Sequence, residues 1–361
     1  MAKVSVILPI CNVQAYLAEA LDSVLGQTLQ DLEIICVNDG STDNSLEIIE
    51  EYARRDSRIV VITGPNGGYG KAMNKGLDRA TGEYIGILEP DDYLAPEIFQ
   101  ELYEVDSSID LDFVKADFYR FTRDEDGTEH RTYILLDETK KRYGQLLCPA
   151  EDPSCIYFTM NTWAGIYRRS FIEEHHIRHN ETPGASFQDN GFFFQTFIHA
   201  RRAMIVNKPY YRTRRDNPNS SVKSKQKVYC MNVEYDHIRD ILMRDREIWE
   251  RFCSMYWWIK YRNYWFTYHR IDESYREEYL NRMKQEFKRA MVLGQLKKSD
   301  FAPNEWRTIS QWSTGATSRL GSIKIVRKIA PYVPKPVKRL AVDALGAAAK
   351  AKRKIAGMLK R

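Results

Sequence analysis

The chain has 361 residues, of which 43% are hydrophobic and 29% charged, which excludes a disordered protein and leaves room for a large domain with a second unit. The net charge of +5 is unevenly distributed, because positions 320–361 hold 12 Lys and Arg against one acidic residue. Six cysteines without a CxxC pair argue against a zinc ribbon. The absence of a signal-peptide pattern or a long apolar run predicts a cytoplasmic protein without a transmembrane helix.

Short apolar runs alternate with helical patterns through the first 90 residues. The apolar runs predict strands at 4–10, 32–37, 59–63 and 84–88. Apolar residues at helical spacing predict helices over 17–25, 46–53 and 72–80. This alternation predicts an α/β fold, Rossmann-like, with a mostly parallel sheet and helices on both faces. Ligands bind such sheets beyond the carboxyl ends of the strands, so candidate site residues are those that follow each strand.

Beyond residue 90 the sequence pattern changes from strands to helices and then to a basic tail. Positions 110–121 predict one further strand, and 228–293 predict helices that are dense in aromatic residues, which we interpret as packing against the sheet. We therefore divide the chain into a sheet domain, a helical region and a basic tail, at 1–222, 223–330 and 331–361.

Polar residues follow the first three predicted strands. The first strand ends near Pro9 and Asn12, without the glycine-rich turn of dinucleotide-binding folds. Asp39 follows the second strand and faces the expected crevice, whereas Asp43 suits helix capping better. The glycine-rich segment 64–71, which ends in Lys71, lacks the Walker pattern but still suits a close approach to a phosphate or a base.

Carboxylates and arginines follow the later elements. Glu89, Asp91 and Asp92 come after the fourth strand, where a hard cation bridging to phosphate would relieve their repulsion; a solvated acidic turn is the alternative. Asp189 lies among aromatic residues that would raise its pKa and suit a general base, or it caps a helix. The arginines of segment 209–215 suit a diphosphate, or form a solvated charge run.

Five motifs between positions 4 and 222 carry a family resemblance. They are, in order, VSVILPICN, EIICVNDGSTDNS, NGGYGKAMNKG, ATGEYIGILEPDDYL and FQDNGFFF. In order and spacing they resemble the family 2 glycosyltransferases, which are inverting enzymes with the glycosyltransferase-A fold, and most of all the branch acting in bacterial surface polysaccharide synthesis. The resemblance implies transfer of a hexose-type sugar from a nucleotide sugar, a UDP-sugar above all, to a hydroxyl of a glycan or lipid-linked acceptor.

The resemblance also implies roles for particular residues. Asp39 holds the uracil, Glu89 replaces the usual aspartate at the ribose contact, and Asp189 is the general base. Asp91 and Asp92 hold the divalent metal, Mn²⁺ or Mg²⁺. The implied nucleotide-sugar site comprises Pro9, Asn12, Asp39, Lys71, Glu89, Asp91, Arg212 and Arg214.

Three alternatives stay open from the sequence. The first is a sugar nucleotidyltransferase, which would need a glycine-rich basic loop after the first strand. The second is a non-catalytic sugar-nucleotide or carbohydrate-binding protein, which would not need to retain all four of Asp39, Asp91, Asp92 and Asp189. The third alternative is a metal site at the histidines. His175 and His179 would share one face if their segment were helical, and both could then bind one metal ion.

The basic tail predicts a further partner. Its Lys and Arg residues and interspersed apolar residues favour an amphipathic helix on an anionic membrane surface. We therefore expect peripheral attachment to the inner face of the plasma membrane, and no nucleic-acid partner; a solvated terminal helix is the alternative.

Overall fold

The computed structural model describes residues 2–106, 109–185, 187–220 and 223–314. The described residues divide into two compact units, one up to residue 280 and one from residue 281 onward. The basic tail lies outside the described residues, so its membrane role stays a prediction.

The described residues of the first unit form one nine-stranded sheet in the order β3-β2-β1-β4-β8-β6-β9-β5, with β7 paired to β6. The strands are β1 (Val4–Ile10), β2 (Leu32–Asp39), β3 (Ile59–Gly64), β4 (Tyr84–Ile87), β5 (Tyr93–Leu94), β6 (Phe113–Arg123), β7 (Glu129–Ile134), β8 (Gly165–Arg168) and β9 (Ala203–Arg214).

Strands β1–β4 form the parallel part of the sheet. β1 pairs with β2 and β4, and β2 pairs with β3, all in parallel. Every residue of β1 and β2 is buried, as expected for strands covered on both faces. The register aligns Ile10 with Asn38 and Asp39 with Gly64, so the loops after β1, β2 and β3 leave one edge of the sheet together.

The remaining strands make the sheet mixed. β8 lies antiparallel between β4 and β6, whereas β6 and β9 run parallel, with an irregularity between Ala116 and Phe118. Beyond it, Phe118 lies opposite Tyr211 and Arg120 opposite Thr213. The α/β fold class is therefore confirmed, with parallel pairing in the first part and antiparallel pairing at β8, β7 and β5.

The helices are α1 (Gln14–Leu25), α2 (Ser45–Arg55), α3 (Tyr69–Arg79), α4 (Ile98–Asp106), α5 (Arg169–Glu174), α6 (Asp189–His199), α7 (Cys230–Leu242), α8 (Arg246–Arg270), α9 (Glu273–Val292) and α10 (Pro303–Thr314). In the first unit, α6 packs on α7, and α7 on α8. Buried aromatic rings fill this contact, with Tyr235 and Tyr256 5.8 Å apart between centroids. The aromatic density of α8 is thus largely core packing.

The second unit is described only as far as residue 314. Within it, the rings of Phe287 and Trp312 lie 6.0 Å apart, and those of Phe301 and Trp306 also 6.0 Å. Across the described residues of both units, no helix has the length and apolarity needed to cross a bilayer.

Candidate active site

The loops after β1 and β2 are bonded to each other. Asn12 has a φ of 53°, a conformation that asparagine tolerates better than most residues. Its Oδ1 accepts hydrogen bonds from the backbone N–H of Thr42 at 2.7 Å and of Asp43 at 3.3 Å. Pro9 lies buried inside β1, opposite Val37. Asn12 therefore joins the two loops at the carboxyl ends of β1 and β2, whereas Pro9 is part of the strand itself.

Asp39 holds the glycine-rich loop. It is buried at the end of β2, and its two carboxylate oxygens accept from the N–H groups of Gly67 and Gly68, both at 2.8 Å. Gly68 has a φ of 90°, and a Cβ there would lie 2.6 Å from the carbonyl oxygen of Thr182, so the position requires glycine. Each carboxylate oxygen keeps acceptor capacity for a ligand donor.

The glycine-rich loop also reaches the segment before α6. The backbone N–H of Tyr69 donates to the carbonyl of Gly184 at 3.1 Å. Lys71 lies exposed in the first turn of α3, with its aliphatic chain against Gly67. The loop after β3 therefore connects the Asp39 edge with the segment that carries Asp189.

The three carboxylates after β4 have different environments. The hydroxyl of Tyr69 donates to Glu89 at 2.7 Å, and burial raises the pKa of Glu89 to about 8. Asp92 is buried and accepts from the backbone N–H of Arg214 at 2.6 Å; burial and the charge of Asp91 raise its pKa well above its usual range. Asp92 therefore points into the protein and supports the loop.

Asp91 is the carboxylate best placed for a metal. Its Oδ2 accepts from Asn217 Nδ2 at 2.8 Å, and the side chain is half-buried. No group of three His, Cys, Asp or Glu residues converges on a metal-binding geometry in the described part of the chain. A single carboxylate nevertheless fits Mg²⁺, which protein sites commonly hold through one or two carboxylates together with substrate phosphates.

Asp189 is the first residue of α6 and lies near Glu89. Its Oδ1 accepts from the backbone N–H and the side-chain amide of Asn190, at 3.1 and 3.2 Å. Burial raises the pKa of Asp189, and its charge contributes to the raised pKa of Glu89. The cap position belongs to Gln188, so Asp189 is not the helix N-cap.

Glu234 caps α6 from α7. Its Oε1 accepts from the backbone N–H of Gly191 at 2.9 Å, and its Oε2 from Asn180 Nδ2 at 3.0 Å. A Cβ on Gly191 would lie 2.4 Å from Oε1, so glycine permits this approach. Burial, with the charge of Asp189, raises the pKa of Glu234 to about 7. Sequence analysis missed Glu234 because it is an isolated acid within a helical pattern.

Helix α8 holds the loop before Asp189. Phe187 has a φ of 70°, a left-handed conformation that costs free energy in a bulky residue. The guanidinium of Arg270 lies 5.1 Å from the Phe187 ring centroid and donates to the carbonyls of Ser224 and Lys227 at 2.6 and 2.7 Å. These contacts fix the entry into α6 and hence the position of Asp189.

Arg212 and Arg214 lie on one face of β9. The guanidinium of Arg212 lies 4.7 Å from the ring centroid of Tyr119. Arg214 is buried, pairs with Glu19 at 2.5 Å, and donates through Nε to the carbonyl of Asp91 at 2.8 Å. Arg214 therefore supports the loop after β4 that carries Glu89, Asp91 and Asp92, called the acidic loop below. The structure does not bring the Arg212 guanidinium to these carboxylates.

Tyr211 projects from the opposite face of β9 into the site. Its hydroxyl accepts from the backbone N–H of Glu89 at 2.9 Å, and its ring stacks on Trp163 with centroids 4.1 Å apart. Tyr69 and Tyr211 thus position Glu89 from two sides. Sequence analysis singled out neither residue, although Tyr69 lies within the glycine-rich motif.

The histidines do not form a metal site. Helix α5 ends at Glu174, so His175 and His179 do not share a helical face. His175 stacks on His199 at 4.5 Å, whereas His179 is buried and stacks on Phe192 at 4.6 Å. The two rings occupy separate environments, which contradicts the alternative of a metal bound between them.

A mixed α/β sheet with an acidic loop after its fourth strand, and a carboxylate on a later helix near that loop, is typical of glycosyltransferases with the A fold. The family model of glycosyl transferase family 2 matches residues 5–174. Glycosyltransferase GlyG of Streptococcus pneumoniae is 31% identical over 228 residues, covering 59% of this chain and 70% of GlyG. The chain belongs to glycosyl transferase family 2.

Other relatives agree with this family. The uncharacterized glycosyltransferase EpsJ of Bacillus subtilis is 38% identical over 223 residues, covering 60% of this chain and 62% of EpsJ. The match thus spans about three fifths of that relative. The crystal structure of S. aureus TarS 1–349 superposes with a TM-score of 0.61 at 20% identity, covering 87% of this chain and 90% of TarS 1–349. This likeness confirms the fold.

Proposed function

We propose that the protein transfers a hexose-type sugar from a UDP-sugar to a hydroxyl of a glycan or lipid-linked acceptor, with inversion, in cell-surface polysaccharide synthesis. The observation that carries the proposal is that Asp189, whose pKa is raised, lies near Glu89 on the loop that also holds half-buried Asp91. Structural neighbours add support, because TarS 1–349 has been crystallised with UDP and with UDP-GlcNAc.

The donor would bind across the loops after β2, β3 and β4. Asp39 would accept from the uracil while it holds Gly67 and Gly68, and Glu89 would contact the ribose. Asp91 would hold Mn²⁺ or Mg²⁺ together with the donor diphosphate. Such a metal supplies positive charge that stabilises a departing diphosphate.

Asp189 would act as the general base. Its raised pKa makes the carboxylate a stronger base than an ordinary aspartate. It would take the proton of the acceptor hydroxyl as that oxygen bonds to the anomeric carbon. The bond from that carbon to the diphosphate oxygen breaks on the opposite side, and its electron pair leaves with UDP. A single displacement of this kind inverts the anomeric centre.

Nucleotide preference and turnover test the proposal. With Mn²⁺ present, the protein should release UDP from at least one member of a panel of UDP-sugars. Calorimetric titration should show UDP binding more tightly than ADP or GDP, and Asp39→Asn should reduce that preference. The matched control is Asp126→Asn, an exposed acid in the β6–β7 turn. Equal affinity for the three diphosphates, without turnover of any UDP-sugar, would contradict the proposal.

A further inference from the structure

Helix α1 carries an acidic residue that pairs with two arginines of the sheet. The Glu19 carboxylate lies 2.5 Å from a guanidinium nitrogen of Arg214 and 2.5 Å from one of Arg123. Its hydrogen bonds to Arg123 raise the pKa of that guanidinium. The side chain of Arg214 is only 5% exposed, so its charge depends on protein partners. Among the described residues Glu19 is its nearer carboxylate, since Asp216 lies 3.3 Å away.

Aromatic rings fix the orientation of the Arg214 guanidinium as well. Its Cζ lies 4.6 Å from the ring centroid of Tyr16 and 4.6 Å from that of Phe121. Tyr16 and Glu19 are three positions apart in α1, and residues at that spacing lie on one face of a helix. Helix α1 therefore supplies one ring and one carboxylate to the same guanidinium, which can stack and pair at the same time because it is planar.

Arg214 in turn contacts two residues of the acidic loop. Its Nε donates to the carbonyl of Asp91 at 2.8 Å, and its backbone N–H donates to Asp92 at 2.6 Å. Loss of the Glu19 carboxylate would leave a buried cation with the more distant Asp216. The guanidinium would then move toward Asp216 or toward water, and its hydrogen bond to the Asp91 carbonyl would weaken.

The first turn of α1 is bonded to the loop after β2. The backbone N–H of Val13 donates to Ser45 Oγ at 3.1 Å, and that of Gln14 donates to Asp43 Oδ2 at 3.0 Å. From Gln14 to Glu19 a helix rises by about 7.5 Å. Helix α1 therefore links the loop after β2 to the acidic loop. Under the proposed function these two loops bind the base and the diphosphate of the same donor.

We propose that Glu19 is a positioning residue for Asp91, acting through Arg214 rather than by contact with the donor. The inference rests on the proposed function for the metal at Asp91, whereas the effect of Glu19 on the acidic loop does not. Residues behind a metal ligand tune the affinity of that ligand for the metal. Replacement of Glu19 should therefore weaken metal binding and leave the contacts to the nucleoside unchanged.

Glu19→Gln tests this role, with Asp22→Asn as the matched control. Asp22 is an exposed acid on the same helix that accepts from the Tyr52 hydroxyl at 2.8 Å, so the control also loses one charge and weakens one tertiary hydrogen bond. Titrations of the full chain with uridine, and with UDP in the presence and absence of Mn²⁺, measure the metal-dependent gain in UDP affinity. That gain should fall about tenfold in Glu19→Gln and stay at the wild-type level in Asp22→Asn. Uridine should bind all three proteins alike.

Hydrogen exchange of the full chain, without nucleotide or metal, measures the acidic loop directly. The backbone N–H groups of Glu89 and Asp92 are hydrogen-bonded in the fold, so their exchange reports on the loop. Peptides that cover residues 88–94 should exchange faster in Glu19→Gln than in the wild-type protein or in Asp22→Asn. Should Glu19→Gln fail to fold, Glu19→Asp replaces it, since the shorter side chain keeps the charge but withdraws it from Arg214.

Two results would overturn the positioning role. One is wild-type exchange of residues 88–94 in Glu19→Gln, and the other is faster exchange together with an unchanged gain from Mn²⁺. If Mn²⁺ does not strengthen UDP binding to the wild-type protein, the metal requirement of the proposed function is wrong instead. Exchange alone then decides whether Glu19 holds the acidic loop.

Discussion

Two regions of the crevice use their polar groups differently. The loop region, formed by Asn12, Asp39, Gly67 and Gly68, has its acceptors bonded to backbone N–H groups of neighbouring loops. The carboxylate region, formed by Glu89, Asp91, Asp189 and Glu234, brings acidic side chains near one another. Its pKa values are raised to about 8 at Glu89 and about 7 at Glu234.

Under the proposed function, the loop region would bind the nucleotide and the carboxylate region would carry the chemistry. A region whose groups are already bonded is preorganised and can hold a flat nucleotide base without rearrangement. A region of crowded acids favours a cation and a proton, which are the two species that sugar transfer must manage. Changes in the loop region should therefore alter nucleotide affinity, whereas a change at Asp189 should alter turnover alone.

The largest expected effect is at Asp91. Chelation with EDTA should abolish sugar transfer, and Asp91→Ala should do so even with Mn²⁺ in excess, because the metal would lose its protein ligand. Turnover of UDP-sugars with and without chelator measures this. Asp126→Asn should keep wild-type turnover and its metal dependence. Activity that persists in EDTA would remove the metal from the mechanism and weaken the contrast between the two regions.

Asp189→Asn should lower transfer by at least about 10²-fold while leaving UDP affinity unchanged, because it removes the proposed general base without touching the loop region. Because burial raises the pKa of Asp189, the acidic limb of the kcat profile should lie above the ordinary aspartate value of 3.8. Steady-state kinetics across pH, with calorimetry for UDP, measure both. A variant that transfers sugar at the wild-type rate would exclude Asp189 as the base.

The smallest effect concerns stability at Glu234. Its pKa of about 7 in the fold lies above the ordinary 4.5, so the folded protein binds this proton more tightly than the unfolded chain does. The contribution of this proton to the free energy of unfolding is complete below pH 4.5 and is lost as pH rises through about 7. The loss amounts to at most about 3 kcal/mol. Glu234→Gln should therefore flatten the fall in melting temperature between pH 5 and pH 8.

Exposed Glu47 supplies the control for that measurement, since Glu47→Gln should keep the wild-type pH dependence. If Glu234→Gln and Glu47→Gln melt with the same pH dependence, Glu234 does not carry the raised pKa. Burial and the charge of Asp189 would then act on Glu234 less strongly than its contacts indicate.

The parallel part of the fold was predictable because its strands are buried on both faces. The apolar run at 4–10 coincides with β1, and β2 and β3 extend the predicted runs by two and one residues, to Asp39 and Gly64. The later strands carry weaker signals: β5 has two residues, β8 has four, and β9 contains polar residues around Pro209. Short or interrupted strands owe their pairing to tertiary contacts, which a local pattern does not contain.

The site was predictable to a similar extent. Asp39, Asp91 and Asp189 could be singled out because each follows a recognisable element or motif. The placement of Arg214 could not, since it depends on β9 pairing in parallel with β6, which puts Arg214 opposite Phe121. Glu234 could not either, because its partner Gly191 lies 43 positions away in the chain.

The bonding of Asp39 has an evolutionary consequence. Because its carboxylate holds the backbone of Gly67 and Gly68, selection for a folded protein would retain the residue even in a descendant that had lost its activity. Within the described residues the Asp189 carboxylate accepts hydrogen bonds from the neighbouring Asn190 alone, so under the proposed function its retention would depend on catalysis rather than on the fold. If Asp189 is the proposed base, a change at Asp189 beside an intact Asp39 should mark those homologues that bind nucleotide sugars without transferring them.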